Sequence, residues 1–365
     1  MHATIAAHAL PLGRGRERVG GIGGLVYRSI HGINELLRRG SDHALGLLAD
    51  GSETAGADPR IEAARAALNG VLGDHLERSG NPLALPMRLR RDGIALQVER
   101  AALAAALPQA GGRLLVLVHG LCMNDRQWLR AGHDHGAMLE REHGYTALRL
   151  YYNSGRHISH NGREFSALLE DLLAQWPVPV RELVLLGHSM GGLVARSAVH
   201  QGLAAGRRWC ERLGALVCLG SPHHGASAER IGSHVHQAIG LSPYSAPIAR
   251  LGALRSEGIT DLRHGNLLEA DWQGRDRFAG GDHRIPLPLP AGVRCHTVAA
   301  TRSPPGAPRP AGDGLVSVAS ALGHHRLPQR TLAFPPEHQL LVPECNHFDL
   351  LARAEVREQL ALWLA

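Results

Sequence analysis

Short unbroken apolar runs alternate with amphipathic stretches along most of this chain. Arg113 to Val118 (RLLVLV), Thr146 to Tyr151, Leu183 to Leu186, Ala215 to Leu219, Val293 to Ala299 and Gln339 to Val342 are predicted strands. Most of them are apolar at successive positions, which suits a strand buried on both faces of a parallel sheet. Helical sequence lies between them, around Ala137 to Glu142 and over residues 157–176. In the second of these, Phe165, Leu168, Leu169, Leu172 and Leu173 share one side. A further helix follows Gly191, and a closing helix reaches Leu364. Strands alternating with helices imply right-handed crossovers and a mostly parallel sheet with helices on both faces, an α/β fold. Met87 to Glu99 reads as a hairpin turning at Asp92-Gly93.

The ends and one interior stretch follow a different pattern. Apolar residues at Ile22, Val26, Ile30, Ile33 and Leu37 form a helical stripe, and Ser41 can cap a short helix through Leu48. A third helix runs from about Asp58 to Arg78, with Pro59 in its first turn and Gly80 beyond its end. Residues 1–84 are therefore expected to be an N-terminal helical appendage to an α/β domain over 85–365. The appendage either packs on that domain or offers an amphipathic surface to lipid or a partner. Over 221–290 the alternation loosens into glycines, prolines, histidines and short helical pieces such as Ile231 to Ile239 and Ser245 to Leu254. An insertion of that length between strands is expected to be a lid or cap.

Charge changes this picture little. The formal net charge of +6 comes from 39 basic residues, all of them arginine, interspersed with 33 acids. Without long basic blocks the pattern reflects a preference for arginine over lysine, and no nucleic-acid partner is expected. Five cysteines lack paired spacing and read as free thiols of a reducing compartment. The N-terminus lacks a charged start followed by a clean apolar core, so no secretory signal is expected. No stretch approaches the length needed to span a membrane, and a cytoplasmic location is expected.

The chemistry centres on Gly187-His188-Ser189-Met190-Gly191, set between a buried strand and a helix. A serine at that junction, with glycines two residues to either side, matches the nucleophile elbow. The hydroxyl needs a histidine base, and the histidine needs a buried carboxylate to fix its tautomer. In a doubly wound hydrolase the three arrive in the order serine, acid, histidine, each after a core strand. Asp313, after the 293–299 strand, and His347, after the last strand, fit as acid and base. Asp261, Asp271, Asp276 and Asp282 are rivals inside the expected lid, and Asp349 is read as a cap of the last helix. His324 and His325 lie in a loop with no following helix, while His338 precedes its strand. For the oxyanion, backbone N–H groups are wanted after the serine and after the 113–118 strand. Met190 and Leu121 are the candidates, with Cys122 second to Leu121. Paired histidines (133 and 135, 223 and 224, 324 and 325) lack any metal-binding quartet, so neither metal nor cofactor is expected.

His119-Gly120-Leu121, the Ser189 pentapeptide, Gly220-Ser221-Pro222-His223-His224-Gly225, Asp313-Gly314-Leu315-Val316 and Asn346-His347-Phe348-Asp349-Leu350-Leu351 occur in the right order. On these motifs residues 85–365 resemble an α/β-hydrolase, closest in pattern to bacterial esterases and lipases related to triacylglycerol lipases and the GPI inositol-deacylase group. The resemblance implies Ser189 as nucleophile, Asp313 as acid, His347 as base and Leu121 and Met190 as oxyanion donors. It also implies that the Ser-Pro-His-His-Gly loop lines the site. The expected activity is cleavage of a carboxylic ester through an acyl-enzyme, on a small-molecule acyl ester or lipid. Thioesterase, amidase or acyltransferase chemistry would use the same triad. A non-catalytic hydrolase-fold module contacting lipid or a partner through the N-terminal helices is the reading from another class.

Overall fold

The computed structural model describes residues 58–226, 256–276 and 282–365. The helices expected at 22–37 and 41–48, and the pieces at 231–239 and 245–254, lie outside the described residues. Eight strands form one sheet: β1 (Arg88–Arg91), β2 (Ile94–Ala95), β3 (Arg113–Val118), β4 (Thr146–Tyr151), β5 (Glu182–His188), β6 (Leu213–Leu219), β7 (Arg294–Ala300) and β8 (Gln339–Val342). Their order is β2-β1-β4-β3-β5-β6-β7-β8. The hairpin β1–β2 turns where expected, with Asp92 at φ 51° and Gly93 at φ 79°, and β1 pairs antiparallel with β4. From β4 to β8 every pairing is parallel. Strands β3 to β7 are buried almost throughout, which accounts for the apolar runs of β3, β5 and β6.

The described helices are α1 (Pro59–Arg78), α2 (Arg100–Ala106), α3 (His135–His143), α4 (Ile158–Gln175), α5 (Met190–Ala204), α6 (Glu257–His264), α7 (Val318–Ala321) and α8 (Ala354–Trp363). The chain steps one way across the sheet from β3 to β4, then the other way from β4 to β5 and from β5 to β6. With right-handed crossovers this reversal sends α3 to one face and α4 and α5 to the other. The packing agrees: α4 lies against α5, and α3 against α8. The reversal also opens a crevice at the carboxyl ends of β3 and β5, the place where open α/β sheets bind ligands.

One correction follows. Asp349 does not cap the last helix: α8 begins at Ala354 after Arg353, which makes no side-chain cap. Asp349 instead accepts from the Asn346 N–H at 3.2 Å and closes its own loop. Part of the loosened 221–290 stretch is regular, since α6 is capped by Ser256 and packs on α1. The Ser256 hydroxyl also donates to the Gly70 carbonyl at 2.7 Å.

Helix α1 is fastened to the sheet edge through buried charge. Asp58 caps it, accepting from Arg60 N–H, and Asn69 ties it to the following chain through the Leu83 carbonyl and Leu85 N–H. Arg90 on β1 meets Glu62 of α1 at 2.8 Å and Asp125 at 3.2 Å, with all three side chains at or below 3% exposure. Its guanidinium lies 3.5 Å from the Tyr151 ring centroid. Arg126 adds a 2.5 Å contact to the second oxygen of Glu62. Burial raises the Asp125 carboxyl above its ordinary value, although Arg90 opposes the shift. Removing the cation strands the buried Asp125 carboxylate and leaves Glu62 to Arg126 alone. Arg90→Met is therefore expected to cost about 3–5 kcal/mol in urea unfolding; a loss below about 1 kcal/mol would show that the cluster does not hold α1 in place.

Candidate active site

Strand β5 ends at His188 and α5 begins at Met190, so the whole reversal falls on Ser189, at φ 55° and ψ −123°. That backbone is unfavourable for a residue with a side chain and persists only where its surroundings fix it. The Ser189 N–H donates to the Leu219 carbonyl at 2.8 Å, tying the turn to β6. A Cβ on Gly187 would lie 2.4 Å from Gly192 N, and one on Gly191 would lie 2.0 Å from the Val118 carbonyl oxygen. Both glycines of the motif are needed for space. The Ser189 Oγ is buried and has no hydrogen-bond partner among the described residues.

Asp313 sits in the loop after β7 and His347 in the loop after β8. Their side chains meet with Nδ1 of His347 at 2.6 Å from Oδ2 of Asp313, and the His347 N–H donates to the Asp313 carbonyl at 3.1 Å. The other carboxylate oxygen accepts from Leu315 N–H at 2.8 Å and Val316 N–H at 2.7 Å. Burial alone would raise the Asp313 carboxyl. His347 and these two N–H groups outweigh it and hold the group below the ordinary carboxylate value. Since an ionised carboxylate only accepts, His347 carries its proton on Nδ1, leaving Nε2 as the basic nitrogen.

The imidazole reaches the elbow through the residues beside the serine. The His347 ring lies 4.8 Å, centroid to centroid, from that of His188, whose Nε2–H donates to the His347 carbonyl at 3.1 Å. A Cβ on Gly220, directly after the carbonyl that holds Ser189 N–H, would be 3.2 Å from His347 Cε1. Ser189, Asp313 and His347 are at most 3% exposed.

The loop after β3 completes the site. Gly120 packs so closely that a Cβ there would sit 3.1 Å from that of Ser189. No acceptor among the described residues engages the N–H of Leu121 or Met190. The Cys122 N–H, by contrast, donates to Ser154 Oγ at 3.1 Å, so the second-ranked oxyanion candidate is already occupied. His119 stacks on Tyr152 at 4.4 Å, and the Tyr152 hydroxyl donates to the His119 carbonyl at 2.8 Å. Burial, with Arg90 adding to it, pushes His119 down to about 4 and keeps this support neutral. His188, Tyr152 and Ser154 were not singled out by sequence. His188 lay inside the motif in view, whereas nothing in the sequence marks Ser154.

The rivals have other partners. Asp261 accepts from His157 Nδ1, Ile158 N–H and Asn266. Asp271 accepts from the N–H groups of Leu267, Leu268 and Ile285. Asp282 pairs with Arg284 and Arg330, and Asp276 is exposed. His324 is exposed, His325 lies 3.7 Å from Asp282, and His338 bonds the Cys295 carbonyl. His133 and His135 bond each other at 2.9 Å, and His135 donates to the Leu350 carbonyl. Among the described residues no cluster of three or more metal-ligating side chains occurs, and no helix is long and apolar enough to cross a membrane. None of the five cysteines is in a disulfide.

Residues 109–285 match the family model of the PGAP1-like alpha/beta domain. No curated protein matches the sequence. Among solved structures, the mature form of the Bacillus licheniformis lipase BlEst2 is similar at 20% identity and a TM-score of 0.43, over 69% of this chain and 92% of that one. The NocB thioesterase domain, in covalent complex with a fluorophosphonate nocardicin G analog, aligns at 16% identity and a TM-score of 0.40, over 70% and 94%. The Pyrococcus furiosus esterase PF2001 aligns at 14% identity and a TM-score of 0.40, over 70% and 84%. With its mostly parallel eight-stranded sheet and its strand–serine–helix turn, the chain has an α/β-hydrolase fold, and residues 109–285 are similar to the PGAP1-like alpha/beta domain.

Proposed function

We propose that the protein is a serine hydrolase that cleaves carboxylic esters of small acyl or lipid substrates. The observation that carries this reading is the buried His347–Asp313 pair at 2.6 Å beside a serine in a strained strand-to-helix turn. In the proposed reaction Ser189 Oγ attacks the carbonyl carbon as Nε2 of His347 takes its proton. The N–H groups of Leu121 and Met190 receive the oxyanion. Collapse of the tetrahedral intermediate expels the alcohol, protonated by His347, and leaves the acyl group on Ser189. Water, deprotonated by the same nitrogen, then attacks the ester carbonyl and releases the acid, restoring the serine. Asp313 keeps Nε2 as the basic nitrogen and stabilises the imidazolium each time it forms.

A fluorophosphonate probe is expected to label the wild type and to leave Ser189→Ala unlabelled. Asp313→Ala and His347→Ala should each lower turnover of p-nitrophenyl esters by roughly three to six orders of magnitude, with circular dichroism unchanged. Near-normal turnover in either variant would reassign that role. A panel of increasing acyl length, with a thioester and an anilide beside it, reads the substrate class directly.

The lowered Asp313 carboxyl also has a pH signature. A depressed folded value means the ionised form stabilises the fold fully above the unfolded carboxylate value of about 3.9, and less as the pH falls through the folded one. The stability advantage of the wild type over Asp313→Asn is thus expected to be flat from about pH 6 to about pH 5 and to shrink towards about pH 3. A gap that stays constant in urea melts down to that pH would deny the carboxylate its charged partnership.

A further inference from the structure

Arg196 lies on α5, the helix that starts at the serine, and is 5% exposed. Its Nη2 donates to the Leu287 carbonyl at 2.7 Å and its Nη1 to His223 Nδ1 at 3.3 Å. Two of its five N–H donors are thereby used. No carboxylate among the described residues forms an ion pair with it, and the one charged side chain named as acting on it is another cation, Arg284. A buried guanidinium without a counter-charge is costly.

The histidine beside it has the complementary deficit. A guanidinium can only donate, so His223 Nδ1 accepts and the ring carries its proton on Nε2. That Nε2–H is buried with no hydrogen-bond partner, on a side chain 2% exposed. The next residue is also neutral: His224 Nε2–H donates to the Gly323 carbonyl at 2.9 Å, leaving Nδ1 to face Arg284 at 3.5 Å. Burial holds both rings well below the ordinary histidine value, with Arg196 adding to the shift in each.

Arg196, His223, His224, Asp271, Arg284 and Arg330 line one cavity of about 30 Å³. Three guanidinium groups and one carboxylate line it. Asp282 is shared by Arg284 and Arg330 at 2.8 Å each, and Asp271 is spent on three backbone N–H groups. The positive charge left over sits at Arg196. The volume exceeds the 10–15 Å³ that one water needs and gives room for an ion of halide size.

The geometry points to a binding site for a small inorganic monoanion of halide size, held by the remaining Arg196 donors and the His223 Nε2–H. Such an anion would join three segments: α5 through Arg196, the loop after β6 through His223, and the chain at Arg284 to Leu287, which already contacts both. It is separate from the ester chemistry and needs none of it.

Bromide is the probe. In crystals of the wild type soaked in sodium bromide, an anomalous peak is expected within hydrogen-bonding distance of Arg196 and His223 Nε2. In solution, exchanging gluconate for chloride at constant ionic strength should raise Tm in a saturable way. Arg196→Met and His223→Phe should each abolish that rise. An empty or water-filled cavity in the bromide map overturns the assignment even if neither variant folds. So does a Tm indifferent to chloride, or a chloride response that survives in folded Arg196→Met.

Discussion

A serine held at φ 55° and ψ −123° occupies backbone space that costs of order 1–3 kcal/mol and persists only when its neighbours over-determine it. Here the neighbours are the sheet itself. Strand β5 lies between β3 and β6, and its last residues are registered against both, with Val118 opposite Gly187 and His188 opposite Leu219. The carbonyl one strand over takes the Ser189 N–H, and α5 is set down so closely that Gly191 rests on the end of β3. The loop after β3 is held against the same serine by Gly120. One strained residue thus fixes the relation of three strand ends and a helix.

The Asp313–His347 contact acquires its meaning from where it stands. The chain contains a second buried pair of the same kind, His157 Nδ1 to Asp261 Oδ2 at 2.9 Å. There the imidazole lies flat on Trp272, 3.6 Å between centroids, and the carboxylate also anchors the start of α4 through Ile158 N–H. It reads as a clamp between α4 and α6. His347 instead packs on Gly220 and His188, the residues that flank the elbow in space and in sequence. Carboxylate–imidazole pairing is common chemistry, and what distinguishes the two pairs is the edge of the sheet on which each falls.

The core strands were legible because burial on both faces demands apolar residues at nearly every position, a demand visible as RLLVLV or LVLL. The hairpin turn was legible because Asp-Gly accepts positive φ at both positions. The elbow could be read from its glycines and its flanking elements together. Helix α2 was not, since RAALAAA carries no contrast between faces and buries only Leu103. Helix α6 lay within a stretch whose polarity hides a single buried side. The Glu62–Arg90–Asp125 cluster was out of reach for another reason: charged residues far apart in sequence give no sign of which will meet, and their burial depends on a fold already formed. The same holds for Ser154 and the Cys122 N–H. Asp349 was misassigned because an acidic residue ahead of a helix has the composition of a cap, while an intervening turn moves the helix start to Ala354.

Four of the five thiols are buried, and burial pushes each of them up to about 12. Alkylation and oxidation proceed through the thiolate, so at neutral pH these sulfurs are chemically silent while the chain stays folded. Cys122, Cys218, Cys295 and Cys345 are spread from the loop after β3 to the last loop, two of them within neighbouring strands. Modification of Cys218 and Cys295 therefore requires the sheet to come apart, and uptake of a maleimide or of iodoacetamide at those two positions marks molecules that have lost the native state.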